Sequence, residues 1–225
     1  MSRKDREVPT GEPPAGEPAL RPSPHGGWIV ALDVAEVPAP LDPARLFGRQ
    51  APLEVEVGIG SGYFFSRHAA SHPGVNLLGI DKARSEVLRT ADKCRRLGLV
   101  NVRVVACDAP YFLEGRLADG VVNAYHVYYS DPWPKQRHHK RRLWTPGFVA
   151  TVERTLEPGG RLLMKTDVTD YFAVIDELLH HAPGLELVDE RRLDEQPLEG
   201  DVTTNFQRKA IEQGHPLHYQ EWRRK

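Results

Sequence analysis

The sequence predicts an α/β protein with a doubly wound, mostly parallel sheet and helices on both faces. Three observations support this. Short apolar runs suited to strands recur at residues 53–57, 76–81, 102–106, 121–130 and 161–166. Stretches of mixed polar and apolar residues, long enough for helices, separate them. Apolar content within each run is fairly continuous, as expected for strands covered on both sides. In such sheets ligands bind beyond the carboxyl ends of the strands, near the topological switch point, so chemistry is to be sought in the loops that follow the strands.

Along the chain, residues 1–25 are Pro, Gly and charge with almost nothing to bury, which predicts a disordered tail. A single domain is expected over residues 26–225, opening with GGWIVALDV at 26–34 as an edge strand or N-terminal arm. Helices are expected over 62–71 and 83–97, the second stopped by Leu97-Gly98. Thr145-Pro146 offers an N-cap followed by proline in the first turn, and Glu157-Pro158-Gly159-Gly160 reads as the end of that helix. A further helix is expected over 169–181. Near the C-terminus, Thr203 to Lys209 is polar around one aromatic, and its last part reads as an antiparallel edge strand.

Composition narrows the class. The 225 residues hold 30 Lys+Arg and 31 Asp+Glu, and 40% are hydrophobic. No apolar run approaches the roughly 20 residues that cross a bilayer, so no membrane partner is expected. Cys94 and Cys107 lack CxxC spacing, which suggests neither a zinc set nor a disulfide framework. The N-terminal residues resemble neither a signal peptide nor a transit sequence, so a cytoplasmic location is expected.

The loops carry the chemistry. After the first strand comes Glu56-Val57-Gly58-Ile59-Gly60-Ser61-Gly62, a GxGxG turn with an acid two positions before it. A dinucleotide fingerprint needs a glycine at position 63, where this chain has Tyr63. The arrangement suits S-adenosylmethionine, which has no pyrophosphate to seat on a helix but has an amino acid moiety for a carboxylate to hold. The plain alternative is a tight turn with no ligand. Asp81 ends the second strand, 23 positions beyond Gly58, where an acid can accept ribose hydroxyls; taken alone it could equally cap the following helix. Asp108, after the third strand, offers an acceptor to an adenine amino group.

The most unusual stretch follows the fourth strand, SDPWPKQRHHKRRLW at residues 130–144. Two prolines flank Trp133 and stiffen the loop, leaving the indole available for stacking. Five Lys/Arg and two histidines then fall within eight positions. A basic run with interleaved aromatics suits a phosphate backbone, whereas a basic run alone is as often a solvated helix start. The histidines lack metal-ligand spacing, so no metal is expected.

With these residues in view, the sequence resembles the bacterial tRNA (guanine-N7-)-methyltransferase family from about residue 53 to the C-terminus. SDPWPKxRHxKRR at 130–142 is the most specific element, and EVGIGSG, GIDK, CDA, KTD and TNFQ stand in the order and spacing of that family. The resemblance implies a seven-stranded, Rossmann-like class I methyltransferase fold and methyl transfer from S-adenosylmethionine to N7 of a variable-loop guanine, position 46 of tRNA. By the same resemblance, Glu56, Gly58, Gly60, Asp81, Asp108 and Asp131 would meet the methyl donor, with Asp131 also at the transfer centre. Lys135, Asp167, Thr204, Asn205, Phe206 and Gln207 would contact substrate, and Arg137, His138, His139, Lys140, Arg141 and Arg142 would form the RNA-binding patch. Gln207 stands where the family pattern has glutamate; its amide can accept a hydrogen bond but brings no charge. The protein would be a monomer or homodimer. Rival readings are a same-fold methyltransferase acting on a small molecule or protein, a non-catalytic RNA-binding subunit, and an NAD-dependent dehydrogenase; Tyr63 weighs against the last.

The near-zero total charge first argues against nucleic acid. By position it reads differently: residues 82–103 carry 7 basic and 2 acidic groups, 133–144 carry 5 and 0, and 208–225 carry 5 and 2, which together give 17 and 4. Neutrality is then a cancellation between basic segments, expected to face RNA, and an acidic remainder.

Overall fold

The computed structural model describes residues 31, 32, 34, 37–197, 202 and 204–225. The tail expected over residues 1–25 and the opening of the arm expected over 26–34 lie outside them. In chain order the elements are β1 (Ala31–Leu32), α1 (Pro43–Phe47), β2 (Leu53–Val57), α2 (Tyr63–Ser71), β3 (Asn76–Asp81), α3 (Arg84–Arg96), β4 (Val102–Ala106), α4 (Ala109–Arg116) and β5 (Val122–Tyr128). After a 3-10 turn at Gln136–Arg141 come α5 (Pro146–Thr155), β6 (Leu156–Thr166), α6 (Thr169–His180), β7 (Leu185–Arg192), α7 (Asn205–Glu212) and β8 (His218–Arg224).

The strands form one sheet in the order β1-β4-β3-β2-β5-β6-β8-β7. Seven full strands, β2–β8, carry the expected fold, and the two-residue β1 adds to the β4 edge. The pairs from β4 through β6 are parallel, while β8 runs antiparallel between β6 and β7. From β2 the chain steps outward through β3 and β4, then returns to β5 on the other side of β2. This order reversal is the switch point at which a doubly wound sheet opens a crevice.

Alternation along the strands sorts the two faces. Leu53, Val55, Val57, Tyr125, Val127, Leu162 and Met164 bury against α1, α4, α5 and α6 in the larger core. On the other face α2 and α3 close a smaller core with Phe65, Ala69, Val87 and Cys94 over Leu77, Val102 and Val104. The same face of β2 and β5 is polar: Glu54, Glu56 and His126 are all buried. Burying such groups is costly unless each has a partner.

Three expectations are corrected. Thr203–Lys209 does not end in a strand: Thr204 caps α7, its Oγ1 accepting the Gln207 amide at 3.0 Å, and the antiparallel strands are β7 and β8. Thr203 itself lies outside the described residues. Glu157–Gly160 does not end α5, which stops at Thr155; these four residues bulge out of β6 between the pairs Val122–Leu156 and Ala124–Arg161. A Cβ on Gly160 would meet Glu157 O at 2.8 Å, which is why the bulge needs glycine. The fourth strand ends at Tyr128 rather than residue 130.

Candidate active site

The carboxyl ends of β2, β3, β4 and β5 surround a cleft of about 840 Å³, within the range of small-ligand sites. Its floor is the turn from β2 into α2. Gly58 and Gly60 have φ of 83° and 47°, the left-handed region that residues with a Cβ avoid. The Gly58 amide donates to Ile80 O at 2.8 Å and the Gly60 amide to Asp81 Oδ2 at 2.9 Å, so the turn is tied to the end of β3. A Cβ on Gly62 would stand 2.3 Å from Thr90 Oγ1, so glycine there lets α2 close on α3.

Carboxylates ring the floor. Glu56 is 4% exposed, and its Oε2 has no hydrogen-bond partner among the described residues. Burial, and secondarily the charge of Asp81, push its carboxyl well above the usual carboxylate range. Asp81 Oδ1 accepts the Ala83 amide at 2.8 Å, so this residue both anchors α3 and faces the cleft; each of its oxygens keeps a further lone pair. Asp108 caps α4, accepting the Tyr111 amide at 3.3 Å, and pairs with Lys82. Asp131, just past β5, is exposed and lines the same cleft.

The opposite wall is the loop after β5. Tyr129 and Trp133 have φ of 54° and 41°, strained values for residues with side chains and of the kind that collect at functional sites. The loop is held by its own side chains: Trp144 Nε1 donates to Ser130 Oγ at 3.2 Å, and Arg142 Nε donates to Pro132 O at 2.7 Å. The Arg142 guanidinium lies 5.0 Å above the Tyr171 ring. Arg142 is therefore a strut of the loop as well as a member of the basic run. Trp133 is not the free platform expected, because Arg141 lies 5.0 Å over its ring and His138 meets it edge-on at 5.7 Å. Phe206 is 59% exposed and stacks on Tyr129 with centroids 6.0 Å apart.

The cleft gathers Glu56, Gly58, Gly60, Asp81, Asp108, Asp131, Lys140, Arg141, Arg142, Thr204 and Phe206 from the residues singled out in sequence. It does not gather the rest. Arg137, His138 and His139 lie in the 3-10 turn, which buries no side chain, with exposed Lys135 as its N-cap. Asp167 follows β6, its Oδ2 4.0 Å from His215 Nδ1. Gln207 points away from solvent in α7, 5% exposed. Asn205 opens α7, and its side chain lies outside the described residues. Sequence reading missed Tyr63, Lys82, Tyr128 and Tyr129, which also line the cleft; the paired tyrosines directly before Ser130-Asp131 were the available signal.

Charge placement is also corrected. Arg103 is buried, donating from Nε to Leu46 O at 3.1 Å. Arg223 sits opposite Arg161, at the end of β8 away from the cleft, and pairs with Glu186 at 2.6 Å; Arg224 Nη1 donates to Leu156 O and Lys225 Nζ to Pro183 O. These four charges do not face the cleft. The basic wall is Lys140, Arg141 and Arg142, with Lys82 on the acidic side.

Parallel strands that reverse order at β2, with β8 threaded antiparallel between β6 and β7, make this the class I S-adenosylmethionine-dependent methyltransferase architecture. A 16S rRNA (adenine(1408)-N(1))-methyltransferase from Catenulisporales acidiphilia, solved with its cosubstrate SAM, shares the fold at a TM-score of 0.53 and 18% identity, covering 82% of this chain and 92% of that one. The family model described as "Putative methyltransferase" matches residues 50–219. A tRNA (guanine-N(7)-)-methyltransferase of Alkalilimnicola ehrlichii is 38% identical over 79% of this chain and 75% of its own length. One from Geobacter metallireducens is 35% identical over 86% and 92%; one from Bordetella parapertussis is 39% identical over 71% of this chain, which spans 61% of its length. The chain belongs to the tRNA (guanine-N7-)-methyltransferase family.

The residues present fit the methyl donor. Glu56 Oε2 is an orphaned buried acceptor suited to an ammonium group. The faces of Gly58 and Gly60 carry no Cβ and meet no atom of the other described residues within 4 Å where one would stand, leaving the backbone open to close approach.

Proposed function

We propose that this protein transfers a methyl group from S-adenosylmethionine to N7 of the guanine at position 46 in the variable loop of tRNA. One observation carries the reading: a single cleft has carboxylates on its floor and Lys140, Arg141 and Arg142 on its opposite wall, and the basic wall continues into the exposed turn Gln136–Arg141. A cationic cosubstrate suits the first side and a phosphate backbone the second. A methyltransferase acting on a small neutral molecule has no use for the second.

The bound cosubstrate supplies a methyl already activated by its sulfonium. Guanine N7 presents a lone pair that needs no deprotonation, so the protein's task is alignment rather than base catalysis. Glu56 and Asp81 would hold the donor by its ammonium and ribose ends, and Asp108 would border the adenine end. Asp131, exposed and lining the cleft, would accept hydrogen bonds from the guanine edge with its carboxylate and offset the positive charge that the purine gains. Phe206, exposed and already stacked on Tyr129, extends an aromatic platform for a splayed base. Lys135, Arg137, His138 and His139 meet the phosphate backbone beside the cleft, and Asp167 with the start of α7 borders the substrate side.

The test is methyl incorporation from labelled cosubstrate into unmodified tRNA by wild type and by Asp131→Ala. Incorporation by wild type and its loss in the variant are expected. Absence of label in wild-type reactions would overturn the function, and full labelling by Asp131→Ala would overturn the role.

A further inference from the structure

Beneath the glycine turn, on the polar face of the sheet, Glu54 of β2 meets two imidazoles from elements distant in sequence. Glu54 Oε2 lies 2.6 Å from Nε2 of His68 on α2 and 2.9 Å from Nε2 of His126 on β5. The three donor atoms lie within 4.8 Å of one another. We propose that Glu54, His68 and His126 form a binding site for a divalent transition-metal ion of the zinc class.

The donor set supports this. Two imidazole nitrogens and one carboxylate oxygen suit zinc, cobalt(II) or nickel(II) far better than calcium or magnesium, which take oxygen ligands. Zinc binds such ligands at about 2.0–2.2 Å, which puts tetrahedral ligand atoms about 3.3 Å apart. Binding an ion would open the two Glu54 contacts, now 2.6 and 2.9 Å, to that separation and bring the two imidazole nitrogens, now within 4.8 Å of each other, to the same spacing. Three protein ligands leave a fourth position for water.

The surroundings match as well. Metal-bound histidines commonly have their second nitrogen engaged by a neighbouring polar group, which fixes the ring. Here Nδ1 of His126 is 2.9 Å from the Tyr128 hydroxyl. The Phe64 ring forms an apolar wall, its centroid 5.0 Å from each of the His68 and His126 rings and 4.8 Å from Tyr128. Glu54 and His126 are buried, while the His68 side chain is 12% exposed and stacks on exposed His72 at 4.2 Å. An ion therefore reaches the site along the solvent side of α2. Because Tyr128 and Phe64 also line the large cleft, the bound ion cross-links β2, α2 and β5 directly behind it. The proposal concerns ion binding and stands whether or not the methyl-transfer reading does.

The sequence gives little sign of this site. The two histidines lie 14 and 72 positions from Glu54, and only the parallel pairing of β2 with β5 and the packing of α2 bring them together.

The experiment uses the tag-free full-length chain carrying His138→Ala and His139→Ala to lower surface background. After removal of metal with a chelator, zinc chloride is titrated by calorimetry and cobalt(II) by visible absorption. Expected are one saturable equivalent, a four-coordinate cobalt spectrum and a rise in Tm with zinc. His68→Gln, on the partly exposed helix, should keep the fold by circular dichroism and weaken zinc binding at least about 100-fold, the upper range for loss of an outer-sphere partner. His68→Cys, which retains a ligand, should restore the equivalent. No saturable equivalent, or the same affinity and stoichiometry in His68→Gln as in the parent, would overturn the site and leave a hydrogen-bonded triad.

Discussion

Replacing Glu56 with glutamine tests the centre of the cofactor argument because it separates stability from binding. In the ligand-free protein the Glu56 carboxyl is buried beside Asp81 and its Oε2 has no partner among the described residues. Burial first, and Asp81 second, raise its folded-state pKa. For a carboxyl the sign follows directly: between the ordinary and the raised pKa the folded state holds a proton that the unfolded state has released, so stability falls as pH rises through that window. Glutamine carries no charge to desolvate. A buried group left without its partner costs about 1–3 kcal/mol, and more when charged. For a chain of this size each kcal/mol moves Tm by about 2–4 °C. Glu56→Gln, whose amide is also unpaired but uncharged, should therefore raise the ligand-free Tm at pH 8, by about 2–4 °C for each kcal/mol of charge burial removed, and change it little near pH 4. Binding should move the other way. Loss of a charge-assisted hydrogen bond worth about 1.5–3 kcal/mol weakens S-adenosylmethionine by about 10- to 150-fold. Scanning fluorimetry across pH gives the first quantity and calorimetry the second. A lower Tm at pH 8 together with unchanged affinity would refute the reasoning.

Three further outcomes are expected. Gly62→Ala should lower Tm through the 2.3 Å approach of its Cβ to Thr90 Oγ1 and a φ of 65°, a cost of about 1–3 kcal/mol from overpacking, and Thr90→Ala should recover part of it; thermal melts of single and double variants check this. Phe206→Ala should leave Tm unchanged, since the ring is exposed, and should weaken tRNA use by about 1–3 kcal/mol if it stacks on a base, read as kcat/KM for tRNA with donor affinity constant. Arg142→Ala should lower both Tm and tRNA methylation because it removes the tie to Pro132 O and the stack on Tyr171, whereas Arg137→Ala, from the exposed turn, should reduce only tRNA affinity and flatten its salt dependence.

Much of the fold was legible because it is written locally. The strands over 53–57, 76–81 and 102–106 match β2, β3 and β4 in their bounds, since continuous apolar runs bounded by loops leave little room for another state. The first carboxylates and glycines were legible for the same reason: each sits at the end of such a run. Short elements were not. The helix α7 has only eight residues, and it buries Gln207 and Ala210 while leaving Phe206 and Ile211 exposed, so its large apolar residues do not mark its buried side. Glu157–Gly160 carries every sign of a helix end, yet the sheet uses it as a bulge. Pairings across the sheet were hidden altogether: the Glu54 triad, the burial of Arg103 and the partners of Arg223 to Lys225 depend on register and packing. The basic segments summed along the chain accordingly overstated the charge at the cleft, where the lining cations other than Lys82 all come from the loop after β5.

The most direct test of the account is to map the methyl group. Unmodified tRNA transcript is treated with the protein and S-adenosylmethionine, reduced with borohydride and cleaved with aniline, which breaks the chain at N7-methylguanine. A single cut at position 46, absent when that guanine is replaced by adenine, is the predicted result. A transcript left intact, or a cut that persists after the replacement, would contradict it.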